Sequence, residues 1–120
     1  MNAGKLDNLL VVTDNKKKHP VDVRIVVKIK AEESLTCIHF LNNRVLKVNQ
    51  GIRQIEEIFK PFHFIKIHKN CLVNPQFLDG LKPGKTAMAL LSDDTQEPVS
   101  RLYRKTLTEI IGAVTENNQV

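Results

Sequence analysis

The stretch Phe64-Ile65-Lys66-Ile67-His68-Lys69-Asn70-Cys71-Leu72-Val73-Asn74 decides how the chain is read. It begins with residue types in alternation, the period of a strand with one buried face. At His68-Lys69-Asn70 it turns polar and basic, then returns at once to apolar residues. A short strand, a cationic tip and a second apolar run hold a few side chains out from a rigid sheet. Lys69 offers a cation to phosphate or to guanine acceptors, and Asn70 a donor and acceptor pair suited to adenine. The tip is therefore the first candidate for contact with nucleic acid, with His68 beside it and Lys66 in the strand behind. Ile67, Leu72 and Val73 are the residues expected to anchor it to the core.

Working outward, the residues before this stretch read as strands joined by tight turns. Leu9–Thr13, Val21–Val23, Arg24–Lys30, Leu35–Leu41 and Val45–Val48 are short, apolar and rich in β-branched residues. In the second of the long strands, Val27 and Ile29 are expected to face one way and Lys28 and Lys30 the other. Asp14–Pro20 reads as a turn, because Asp-Asn supplies turn chemistry and Pro20 cannot donate to a ladder. The period changes after Val48. Asn49 is the expected N-cap of one amphipathic helix, with Ile52, Ile55, Ile58 and Phe59 on one face. Pro61 is expected to stop it and to hold Lys60 out of the helical conformation. Past the tip, Pro75–Gly80 and Pro83-Gly84 read as turns, and Thr86–Leu91 and Gln96–Val99 as strands. Ser100 is placed as the cap of a second helix near 101–115, with Tyr103, Leu107, Ile110, Ile111 and Val114 on one stripe. The fold class is mainly β, with short antiparallel sheets and α+β character only from a short helix near 50–60 and the C-terminal one.

The C-terminal helix breaks a rule at its start. Helix N-termini carry partial positive charge and favour acids, yet Arg101, Arg104 and Lys105 crowd the beginning. A phosphate resolves the conflict, since it accepts from free backbone N–H groups and pairs with guanidinium. Arg101, Arg104 and Lys105 are thus the second set of candidate contacts.

Charge distribution supports a polyanionic partner. The chain has 120 residues, 18 Lys and Arg against 13 Asp and Glu, and a formal charge of +5. Its bases cluster in three zones: Lys16-Lys17-Lys18-His19, Lys60 to Lys69, and Arg101 to Lys105. The length fits one domain over residues 1–120, with a core from about 9 to 107 and polar termini. No apolar run is long enough for a membrane span and no secretory leader is legible, so the reading is cytoplasmic with no membrane partner. Cys37 and Cys71 sit in apolar stretches and read as small buried side chains. His63, His68 and Cys71 match no common zinc spacing, so no metal is assigned. Cys71 lies near His68 but lacks a third orienting group, and no Gly-rich phosphate loop is present. The chain is read as non-enzymatic, without a cofactor.

Two linked blocks carry a resemblance. Phe64-x-Lys66-Ile67-His68-Lys69-Asn70-x-Leu72-Val73-Asn74, with Pro98-Val99-Ser100-Arg101-x-Tyr103 downstream, resembles the signature of the LytTR DNA-binding domain of bacterial transcription regulators. The order of strands, hairpin, short helix and tip is similar from about Leu9 to Leu107. The resemblance implies sequence-specific binding of double-stranded DNA by loops rather than by a recognition helix. It implies a role as a regulator or as the output domain of a two-component response regulator. That brings a dimer on direct-repeat sites, a receiver domain ahead and a sensor kinase upstream. Carried over by position, the contacts are the Glu33-Ser34-Leu35 region with Ser34, then Lys69 with Asn70, then Arg101. The chain departs from the family where Lys69 replaces an arginine, Asn70 a serine and Cys71 an aromatic residue. With 120 residues there is no room for a receiver domain, so the sequence reads as an excised domain or a small stand-alone regulator. The competing reading is a non-catalytic β-rich protein-interaction module, or an RNA-binding one, whose basic patches serve solubility.

Overall fold

Three antiparallel sheets and two helices make up the structure, a computed structural model that describes residues 8–118. In chain order the elements are β1 (Leu9–Asp14), β2 (Lys17–Asp22), β3 (Val26–Glu32), β4 (Leu35–Phe40) and β5 (Val45–Val48). Then come α1 (Ile52–Phe59), β6 (Ile65–His68), β7 (Cys71–Val73), β8 (Leu78–Lys82), β9 (Ala87–Leu91), β10 (Gln96–Val99) and α2 (Arg101–Asn118). The mainly β reading holds.

The central sheet has strand order β5-β4-β3-β7-β6. A two-stranded sheet, β1-β2, and a three-stranded one, β10-β9-β8, complete the set. Each face of the central sheet supports its own core. On one face Val26, Ile29, Ile38, Phe40 and Leu72 pack with Val12 and Val21 of the β1–β2 hairpin and with Ile55 and Phe59 of α1. On the other, Val27, Ile67, Cys71 and Val73 pack with Ala87, Ala89, Leu91, Val99 and Leu107. Each fully buried Ile or Phe here contributes about 1.5–3 kcal/mol relative to exposure.

Several expectations are corrected. Val27 and Ile29 do not share a face, because β3 carries a bulge against β4 between Val26 and Lys28. The extra residue reverses the alternation locally. Residues Val23–Ile25 form a single 3-10 turn, capped by Asp22, so β3 starts at Val26. Of the lysines expected in a turn, Lys17 and Lys18 belong to β2, and only Asn15 and Lys16 turn the chain, with φ 48 and φ 68. Pro20 is tolerated because β1–β2 is an isolated pair with a free outer edge. Gly51, not Asn49, caps α1, without a side-chain hydrogen bond, and Asn49 donates its backbone N–H to Asp14 Oδ1 at 3.0 Å. Lys60 is helical, with φ −53 and ψ −42, and Pro61 opens a further 3-10 turn rather than ending the coil. The chain exits through His63, which is left-handed at φ 60. Pro75–Phe77 is a turn, but Leu78–Gly80 pairs into β8.

In α2, Leu107 is buried, Tyr103, Ile110 and Ile111 are half-buried, and Arg101, Lys105 and Thr108 are exposed, as the stripe predicts. The Val114 side chain lies outside the described ones.

Candidate nucleic-acid interface

The tip is a two-residue connection between β6 and β7, with His68 facing Cys71 across it. Lys69 and Asn70 are both exposed. Their backbone is held on two sides. The Asn70 N–H donates to Nδ1 of His68 at 3.2 Å, and the Asn70 carbonyl accepts from the Ala31 N–H at 2.9 Å. His68 thus braces the turn, and the two side chains beyond it remain free to meet a partner. Ile67, Leu72 and Val73 are buried beneath, as expected of anchors.

The same hairpin carries the start of α2. A bulge in β6 between Lys66 and His68 turns the Ile67 carbonyl outward from the β6–β7 ladder. That carbonyl accepts from the Ser100 N–H at 2.9 Å. Ser100 in turn accepts from the Tyr103 N–H at 3.0 Å, which closes the first turn of α2. Arg101 therefore starts α2 next to a residue bonded to Ile67 of the same hairpin, although far from it in sequence.

Ser34 joins this group. It is exposed in the turn between β3 and β4, next to left-handed Glu33 at φ 57. The Ala31–Asn70 bond sets that turn alongside the tip. Lys105 is exposed one helical turn beyond Arg101. Two candidates have partners of their own. Lys66 pairs with Glu56 of α1 at 3.3 Å, on the opposite face of the sheet. Arg104 is half-buried and donates through Nη2 to the Lys85 carbonyl at 3.0 Å, while its buried Nε has no partner.

Sequence reasoning missed the group that ties these elements together. Glu97 of β10 is buried and accepts from Lys28 at 2.6 Å and from Lys30 at 3.2 Å, both on β3. Lys28 is itself buried and also donates to Thr95 Oγ1 at 3.1 Å. Partial burial depresses the Lys30 ammonium, but the hydrogen bond and charge of Glu97 outweigh it and hold its pKa above the ordinary value. The strand alternation put Lys28 and Lys30 on one face, but nothing in the sequence pairs Lys28 with an acid nearly seventy positions away.

Cys71 lies behind the tip. Burial, then the nearby Glu97 carboxylate, pushes its thiol up to about 12. Both cysteines are free and buried. Among the described residues no three His, Cys, Asp or Glu side chains are grouped so as to hold a metal ion. No helix among them is long and apolar enough to cross a membrane.

Comparisons with known proteins agree with this fold. The chain is 29% identical over 114 residues to the sensory transduction protein LytT of Oceanobacillus iheyensis, covering 92% of this chain. It spans about half of that relative, 46% of its length. The fold is similar to that of a solved LytTr DNA-binding domain from Bacillus cereus, with a TM-score of 0.70 at 17% identity. That match covers 88% of this chain and 97% of the solved one. The family described as the LytTr DNA-binding domain matches residues 16–112, most of the chain and all of the candidate contacts, and the chain belongs to that family.

Proposed function

We propose that this chain binds double-stranded DNA sequence-specifically through the turns at one end of its central sheet. Lys69, Asn70 and Arg101 reach base edges, with Ser34 and Lys105 contacting nearby backbone or sugar. His68 acts chiefly by bracing the tip. Lys66 and Arg104 lend charge from the flanks, since each already has a protein partner. The observation that carries the reading is the Ser100–Ile67 backbone bond, which brings two separate basic motifs onto one surface. In this reading the chain is one output domain of a bacterial response regulator, cytoplasmic and preceded by a receiver domain under a sensor kinase. Two copies bind direct repeats as a dimer on DNA, without a cofactor or catalysis.

Selection of bound duplexes from a random pool tests this directly. A motif should emerge, repeated at fixed spacing. Arg101→Ala should then weaken the selected duplex by about 1–3 kcal/mol more than a random one, as loss of a base contact does. Equal loss on both duplexes would reduce Arg101 to a phosphate contact. No enrichment at all would favour the protein-interaction reading.

A further inference from the structure

Lys16-Lys17-Lys18 is a basic zone that the three contact turns leave out. It lies at the tip of the β1–β2 hairpin, and all three lysines are exposed. Lys16 adopts φ 68 in the turn, a position that glycine usually fills. A long cation kept at such a site is a local conflict of the kind found at functional surfaces.

The tip is fastened to the central sheet. Asp14 Oδ1 accepts from the Asn49 N–H at 3.0 Å, and the Gln50 side-chain amide donates to the Thr13 carbonyl. The Gln50 carbonyl accepts from Thr36 Oγ1, at the start of β4. Thr36 faces Val48 in the ladder, one residue from Leu35 and the Ser34 turn. The hairpin tip is therefore held near the β5 edge, at the same end of the sheet as the DNA-facing turns.

Strand order then lays the surface out as a row. The lysine tip lies near β5, the Ser34 turn between β4 and β3, Lys69 and Asn70 over β7 and β6, and Arg101 beyond. Four strand spacings give a row of roughly 19 Å. The middle is acidic, with Glu32 bound to His39 at 3.2 Å and Glu33 exposed. Both ends are basic. A major groove is about 12 Å wide, so such a row crosses it and reaches phosphates on both rims. An acid at the centre can accept from cytosine N4, whereas it would be repelled by a phosphate.

We propose that Lys16, Lys17 and Lys18 form a clamp on the DNA backbone, opposite Arg101 and Lys105 across the groove. The clamp is indifferent to sequence. It rests on the DNA-binding reading above and adds a contact element that the three turns do not supply.

The test replaces the three lysines together with glutamine, and in a second variant with arginine. Binding to a selected and a random duplex is followed between about 50 and 200 mM salt, where phosphate contacts dominate the salt response. The glutamine variant should lose affinity for both duplexes alike, by roughly 5-fold per lost phosphate at ~0.15 M salt, with the log–log salt slope shallower by about 0.9 for each. The arginine variant should bind as the original chain does. An unchanged slope and affinity in the glutamine variant, or a loss confined to the selected duplex, overturns the clamp. Failure of the unmutated chain to bind any duplex overturns the DNA reading and the clamp with it, and is seen before any variant is made. Circular dichroism of each variant separates lost contacts from lost folding.

Discussion

Cys71 is buried behind the tip near the Glu97 carboxylate, and the nearby Lys30 and Lys28 are already engaged by that carboxylate. The thiol pKa near 12 follows from that burial. Because the folded value is raised above the unfolded one, the thiol contributes stability that is fully present below pH ~9 and is lost as pH rises toward ~12. A shift of about three units corresponds to about 4 kcal/mol. Urea midpoints of the original chain and a Cys71→Ala variant should converge as pH climbs through that window. A constant gap would show that the thiol ionises alike in the folded and unfolded chain, and so is more accessible than it looks. At pH 8 in native buffer, Cys71 should also resist alkylation. Residue-scale roles divide between what was legible and what was not. Lys69, Asn70 and Arg101 could be picked as candidates from the sequence because charge and local motif mark them, and all three are exposed. The partners of Lys66 and Arg104 could not, since Glu56 and the Lys85 carbonyl are brought to them only by folding.

Among elements, β3 and β10 are joined by a buried carboxylate rather than by a ladder. Glu97 satisfies Lys28 and Lys30 at once, and Lys28 is as buried as Glu97. Truncation of one partner leaves an uncompensated charge inside the protein. Glu97→Ala should therefore cost about 3–5 kcal/mol in chemical denaturation, whereas Glu97→Leu combined with Lys28→Met should recover much of it. If the double variant were no better than the single one, the charges would be contributing more than mutual neutralisation. The elements themselves were unevenly readable. Helix α1 was legible because Ile52, Ile55, Ile58 and Phe59 recur at three and four, and α2 because its apolar stripe is long. The β2 strand was not, since two lysines, a histidine and a proline are strand-compatible only when β1 supplies the pairing. The bulge at Val27 was equally hidden, because one residue inserted in a ladder leaves no trace in a run of valines.

For the whole molecule, the cores on opposite faces of one sheet leave the end of that sheet as the place where turns accumulate. The candidate interface is thus a single rim, and each copy presents it in one orientation. On the proposed reading, two copies on direct repeats show that rim to the same side of the duplex. Their sites should lie a whole number of turns apart, with a turn taken as about 10–10.5 base pairs. Insertion of about 5 base pairs between repeats should abolish joint occupancy in a gel-shift titration, and insertion of a full turn should restore it. Occupancy that ignores the inserted length would argue for independent binding by monomers.

The bond between Ser100 and Ile67 has a consequence for how such a protein changes its target. It is made wholly by main-chain atoms, so no side-chain exchange at Lys69, Asn70 or Arg101 alters it. The platform is decoupled from the letters mounted on it. On the proposed reading, substitutions at those three positions should retarget the chain to a different operator without rebuilding its frame, and a proline at position 100, which removes the donor, is the change that should unseat both motifs together.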